Sequence, residues 1–177
     1  MRQRRVYSIR ALATFVVAAS ILAGLVGCAP KGGQSNEQAI SAMRHTAGVG
    51  SARAFPNSFY AGLSKATSMY IEVTIDAGYR IASPPNLMEY LIRTAWSVNS
   101  GHPNDSLSIE VHSVDSPSFD PIQAAIDAGW DSDRLASNPP MPEMLSVVLN
   151  DSLVAKLGPW PGRIPTLPQG TIVPVER

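Results

Sequence analysis

Two segments of the chain alternate strictly between apolar and polar side chains, the pattern of a strand with one buried face. They span residues 70–76 and 106–112. A weaker strand is predicted over about 51–60, joined to the first by a polar turn at 64–67. Pro56 favours an edge position for the weaker strand, because proline has no N–H to donate to a neighbouring strand.

Four further segments carry apolar residues at helical spacing. A helix is predicted over residues 36–47, and Ser35 as N-cap forms a capping box with Gln38 in its first turn. The longest helix is predicted to begin after Ser83 as N-cap, with Pro84 in its first turn, and to end before Gly101. The two remaining helices are shorter. One begins at Asp120-Pro121 and ends near Gly129, and a helical turn covers residues 151–157.

The C-terminal part leaves two alternatives open. Residues 144–149 fit a strand, and one continuous helix from Pro142 is the alternative. After Gly158 the prolines recur at short intervals and predict an extended tail over 159–177. Trp160, between two prolines, is a candidate docking element for an envelope protein partner, because a rigid proline segment loses little entropy on binding. The alternative is that the tail straps Trp160 onto its own domain.

The order helix, strand, strand, helix, strand, helix predicts an α+β fold. We expect a small antiparallel or mixed sheet of three to four strands with helices on one face. The closest type is the ferredoxin-like sandwich, with its first strand missing. Residues 36–158 would form this single domain.

The N-terminal 27 residues combine a basic start, an apolar stretch and small residues at the exit. Four arginines precede residues 11–27, in which only Thr14 and Ser20 are polar. These are the features of a secretory signal peptide. An uncleaved spanning helix is the alternative, but the stretch reaches only the lower end of what about 30 Å of hydrocarbon demands.

Leu25, Val26, Gly27 and Cys28 close this stretch. The run resembles the lipobox of bacterial membrane lipoproteins, in which the cysteine stands at the cleavage point. The resemblance implies removal of the signal peptide 1–27, a diacylglycerol on the Cys28 sulfur, and a lipid-anchored position on the extracytoplasmic face of the cell membrane. Residues 28–35 would then form the lipidated terminus and a flexible tether. Arg4-Arg5 leaves twin-arginine export open beside the general route.

Charge and cysteine content narrow the function of the mature chain. The full chain has 14 basic and 14 acidic residues. Removal of the signal peptide takes away four arginines and no acidic residue, so the mature chain has 10 basic and 14 acidic residues, a net charge of −4. Nucleic acid binding needs clustered Lys and Arg, so we expect none. Cys28 is the only cysteine, so its lipidation leaves no thiol for disulfides, metal sites or nucleophilic catalysis.

Glu110 and His112 are the candidate ligand residues, because alternation puts both on the polar side of one strand. The alternative is a solvated sheet face, which alternation produces in any open sandwich. A metal site would need a larger convergent set, so no metal or cofactor is expected. The chain has no Gly-x-Ser-x-Gly motif, and no catalytic residue is assigned. A noncatalytic binding or assembly module is the favoured function. The alternative is a hydrolase or small-ligand-binding enzyme whose site is assembled only in three dimensions.

Overall fold

The computed structural model describes residues 32–116, 119–138 and 141–176. The predicted signal peptide, with Leu25, Val26, Gly27 and Cys28, lies outside these residues. The described helices and strands follow in the order α1 (Asn36–Arg44), β1 (Val49–Ala61), β2 (Ser64–Ile75), β3 (Tyr79–Ile81), α2 (Pro84–Ser97), β4 (Ser106–Ser113), α3 (Pro121–Asp127), a 3-10 turn (Ser132–Arg134), β5 (Leu135–Asn138), β6 (Met141–Val148), α4 (Asp151–Leu157) and β7 (Ile172–Pro174).

The main sheet has five strands in the order β1-β2-β4-β6-β5. β1 and β2 form an antiparallel hairpin, β2 and β4 are parallel, and β6 pairs antiparallel with both β4 and β5. The predicted α+β class and mixed sheet are confirmed. The sheet has one strand more than expected because residues 135–138 form an edge strand. β2 and β4 are direct neighbours, so α2 joins adjacent strands rather than the separated pair of a ferredoxin-like sandwich.

The core lies between one face of the main sheet and the helices. α2 supplies most of the buried helical side chains, while α1 and α4 each supply two and α3 supplies three. Each large apolar side chain buried in this way contributes about 1.5–3 kcal/mol. Within the described ranges, no helix is long and apolar enough to cross a bilayer. The largest fully buried side chains are Trp96, Met43, Met69, Ile71, Ile75, Leu87, Met88, Leu91, Ile92, Leu107, Ile109 and Leu145.

The turn of the β1–β2 hairpin lies at Gly62 and Leu63, so the prediction of a turn at 64–67 was wrong. Gly62 has a φ of +65°, which glycine adopts readily at the first central position of a two-residue hairpin turn. Residues 64–67 are polar but belong to β2. The edge position predicted from Pro56 is confirmed, because β1 is an outer strand of the sheet.

The predicted first residues of the helices agree with the structure better than the predicted last residues. α1 begins with the expected capping box, in which Ser35 Oγ accepts from the backbone N–H of Gln38 at 3.2 Å. The helix ends at Arg44, three residues earlier than expected. Ser83 occupies the N-cap position of α2, but its side chain makes no capping hydrogen bond. Pro85, in the first turn, has no N–H to offer the hydroxyl.

Residues 141–148 form β6, so the alternative of a continuous helix from Pro142 is wrong. The break between β6 and α4 is made by Asn150, whose Oδ1 accepts from the backbone N–H of Leu153 at 2.9 Å. This side-chain cap starts a separate helix after the strand. The predicted helical turn over 151–157 is confirmed.

The C-terminal segment, residues 159–176, lies along the domain. β7 pairs antiparallel with β3 in a second sheet of two strands. Thr171 is buried, and its carbonyl accepts from the backbone N–H of Ala82 at 2.8 Å. Gly162 donates its N–H to the carbonyl of Trp96 at 3.1 Å. Neither β3 nor β7 was predicted, because strands of three residues are too short to show alternation.

Replacing Ile109 by Ala should lower the free energy of unfolding by about 2–5 kcal/mol. Ile109 is fully buried in the central strand β4, so the shortened side chain leaves a cavity. Chemical denaturation of the two proteins measures the difference. Val114→Ala, just beyond the same strand and 78% exposed, is the control and should change stability by less than about 0.5 kcal/mol. Equal effects would contradict the assigned faces of β4.

Candidate functional site

The face of the main sheet that points away from the helices is largely polar, and we name it the open sheet face. Alternation along β1, β2, β4 and β6 puts its side chains opposite the core. Most of them are half-buried or exposed. Sequence analysis predicted this face for β2 and β4, and the pairing of the strands extends it to four strands. Its central members are Ser51, Arg53, Phe55, Tyr70, Glu72, Thr74, Ser108, Glu110, His112 and Ser146.

Strand register arranges the charged residues of this face side by side. Arg53, Glu72 and Glu110 occupy neighbouring positions on β1, β2 and β4. Arg53 Nη1 lies 3.3 Å from Glu72 Oε2, and His112 Nε2 lies 2.9 Å from Glu110 Oε1. The predicted pair Glu110 and His112 is therefore brought into contact. Each carboxylate has a basic side chain beside it, which offsets the repulsion expected between neighbouring acids.

Two further contacts on the open sheet face join neighbouring strands. Ser51 Oγ donates to Thr74 Oγ1 at 3.0 Å, and the rings of Phe55 and Tyr70 have centroids 4.8 Å apart. In the part of the chain that the structure describes, no group of three His, Cys, Asp or Glu side chains could hold a metal ion. The face therefore offers a row of hydrogen-bond donors and acceptors with an aromatic pair beside it. Such a surface suits the recognition of another polar surface.

Trp160 packs on its own domain in the described structure. Its ring centroid lies 4.6 Å from that of His102, which lies 6.0 Å from Trp96. The Trp160 side chain contacts the core, and its Nε1 is buried without a hydrogen-bond partner among the described residues. Trp96 Nε1 donates to the carbonyl of Gly158 at 3.0 Å and thereby fixes the start of the C-terminal segment. Docking of a partner through Trp160 stays a prediction.

A groove of about 500 Å³ lies between α1 and the C-terminal segment. Ala42, Thr46 and Ala47 line one side and residues 165–172 the other, with Tyr90 from α2 between them. Burial raises the pKa of the Tyr90 hydroxyl above its ordinary value, so this side chain stays neutral. None of the residues that line the groove carries a charge at neutral pH. Sequence reasoning missed the groove because its two sides are about 120 residues apart in the chain.

The acidic residues near Trp130 have local structural partners. Asp131 accepts from the backbone N–H of Asp133 at 3.1 Å, and Gln123 donates to Asp127 at 2.8 Å. Trp130 itself is buried, and Lys156 Nζ lies 4.0 Å above its ring. These contacts cap helical turns and cover the edge of the core.

Comparison with known proteins returned no matching family model, no matching curated protein and no matching solved structure. What the chain does is therefore inferred from its own residues and geometry.

A double-mutant cycle on Glu110 and His112 should give a coupling energy below about 1 kcal/mol. The His112 side chain is 36% exposed and that of Glu110 is 16% exposed, so water screens part of their attraction. Denaturation of Glu110→Gln, His112→Gln and the double variant measures the coupling. The same cycle on Arg53 and Glu72, a pair with one exposed and one mostly buried partner, is the matched control. A coupling of several kcal/mol would contradict a half-exposed surface pair.

Proposed function

We propose that this protein is a lipid-anchored protein of the bacterial cell envelope whose domain is a noncatalytic binding module. The lipid anchor is inferred from the likeness of Leu25-Val26-Gly27-Cys28 to a lipobox, together with the basic and apolar segments before it. The binding role is inferred from the open sheet face. That face is the observation on which the choice of binding over catalysis depends.

The start of the domain fits an anchor close to the membrane. Gln34 is 3% exposed, and its backbone N–H donates to the Ser97 carbonyl at 2.9 Å. Its own carbonyl accepts from the N–H of Asn99 at 2.9 Å, and its Nε2 donates to Ser97 Oγ at 2.7 Å. The chain is thus fixed to the domain six positions after Cys28. A lipid on Cys28 would hold the domain beside the bilayer on a short tether.

The arrangement of the open sheet face supports binding over catalysis. Its carboxylates lie beside Arg53 and His112, and its aromatic pair lies two residues along the strands from Arg53 and Glu72. His112 does not line the groove beside Tyr90, and the residues of that groove are uncharged. A general acid or base would need a titrating group directed at a bound substrate. A flat polar surface serves protein recognition, in which a few central residues carry most of the affinity.

Replacing Cys28 by Ser should abolish acylation of the protein. Without the thiol no thioether to diacylglycerol can form, so the variant should lack the lipid even if its apolar residues 11–27 keep it at the membrane. Mass spectrometry of the native protein should find the acylated cysteine as the first residue, and mass spectrometry of the variant should find no acyl chain. Val26→Ala keeps a small residue at its position and is the control, expected to be processed normally. An unmodified Cys28 with residues 1–27 retained would overturn the anchor.

A photo-crosslinking residue at Ser108 should capture a discrete envelope partner in intact cells. Ser108 lies at the centre of the open sheet face, between Tyr70 and Ser146. The same residue at Ser152, exposed on α4, is the control for random collisions. Arg53→Glu should reduce the yield at Ser108 several-fold, because it places a third acid in the row of Glu72 and Glu110. Identical adducts at Ser108 and Ser152 would count against the binding role of this face.

A further inference from the structure

The far end of the β1–β2 hairpin presents large apolar side chains to solvent. We name residues 59–65 the hairpin tip. Phe59 is 48% exposed, Tyr60 is 77% exposed, and Leu63, in the turn itself, is fully exposed. Single apolar residues on a surface need no explanation, but a group of three within five positions marks an interaction site.

The hairpin tip lies at the same end of the domain as the start of the described chain. The loop after α2 contacts both. Asn99 in this loop donates its N–H to the carbonyl of Gln34 at 2.9 Å. Farther along the same loop, Asn104 donates its N–H to the carbonyl of Thr67 at 2.9 Å, and its Nδ2 donates to the carbonyl of Lys65 at 3.0 Å. A few residues of one loop therefore connect the beginning of the domain to the hairpin.

Chain length limits how far the domain can stand from a lipid on Cys28. Leu63, in the turn, lies four positions before Thr67, a distance of about 13 Å at the rise of a strand. Cys28 lies four positions before Gly32, and an extended chain of this length spans at most about 14 Å. A lipid on Cys28 would therefore keep Gly32 within about 14 Å of the anchored sulfur, a length similar to the one by which the hairpin tip extends past Thr67.

The charge at the hairpin tip also fits an anionic lipid surface. Arg53 and Glu72 form an ion pair with each other, and between them in the sequence Lys65 is the only charged residue, although the mature protein is acidic overall. Lys65 is exposed at the tip, next to Tyr60 across the hairpin. A lysine with neighbouring aromatic side chains is typical of segments that lie at the boundary between lipid headgroups and acyl chains.

We propose that the hairpin tip inserts into the interfacial layer of the phospholipid bilayer to which Cys28 is anchored. Phe59, Tyr60 and Leu63 enter the boundary between headgroups and acyl chains, and Lys65 contacts anionic headgroups. The proposal rests on the lipid anchor proposed above. The tip is a second attachment point, which restricts the rotation of the domain about its tether.

The test uses the full lipidated protein in vesicles of phosphatidylcholine and phosphatidylglycerol. A polarity-sensitive fluorophore is attached to the thiol of Leu63→Cys, which is the only free thiol because Cys28 carries lipid. We expect blue-shifted emission and quenching by doxyl-labelled phospholipids. The control is Val114→Cys, an exposed position at the opposite end of β4, where quenching should be several-fold weaker. Phe59→Ser combined with Tyr60→Ser should lower quenching at position 63 to the control level.

The outcomes separate this proposal from the lipid anchor. If the labelled protein floats with the vesicles but both positions are quenched equally, the tip does not insert, while the anchor stands. If the protein does not float and its Cys28 is unmodified, the anchor itself fails. Emission at position 63 that shifts with protein concentration and ignores the doxyl lipids would assign the tip to a second copy of the chain. That result would also overturn the proposal.

Discussion

The structure depends on the packing of α2 against the parallel pair β2 and β4. Without a cysteine in its body, the domain has no covalent cross-link, so its stability must come from apolar burial. α2 is buried along most of its length, with Leu91, Ile92 and Ala95 fully inaccessible. It faces the core side of strands whose alternate positions are equally buried. The right-handed crossover that such a unit normally adopts places the helix over the strands it connects.

The repeating buried faces of α2, β2 and β4 also explain which parts of the fold could be predicted from the sequence. Strict alternation in β2 and β4, and the apolar stripe of α2, identify these three elements because each has one buried face that repeats over many positions. The elements that escaped prediction are short. β3 and β7 have three residues each, and β5 has four. Their pairing depends on residues distant in the chain, which no local pattern records. The turn at Gly62 was missed because the polar residues 64–67 that follow it resemble a loop. The turn itself depends on the positive φ of the glycine.

In the candidate site, too, some features could be predicted from the sequence and others could not. Glu110 and His112 could be placed on one face because two positions along a strand restore the same orientation. The position of Arg53 beside Glu72, and of Glu72 beside Glu110, required the register of three strands. The groove beside Tyr90 depends on tertiary structure alone. The same holds for the loop contacts that connect Gln34 to the hairpin. Periodicity therefore predicted the surface, whereas the pairing of strands determined which residues meet on it.

The C-terminal segment has a consequence for the order in which the domain can be completed. Gly162 is bonded to the end of α2, and a Cβ at this position would overlap the ring of Trp96, so the segment lies tightly against the indole. β7, almost at the end of the chain, supplies the only partner strand of β3 among the described residues. The β3–β7 pairing and the contact of Gly162 with Trp96 therefore cannot form until residues 162–174 have been synthesised. A chain that stops before these residues would leave β3 without its partner strand and one side of the Trp96 indole uncovered.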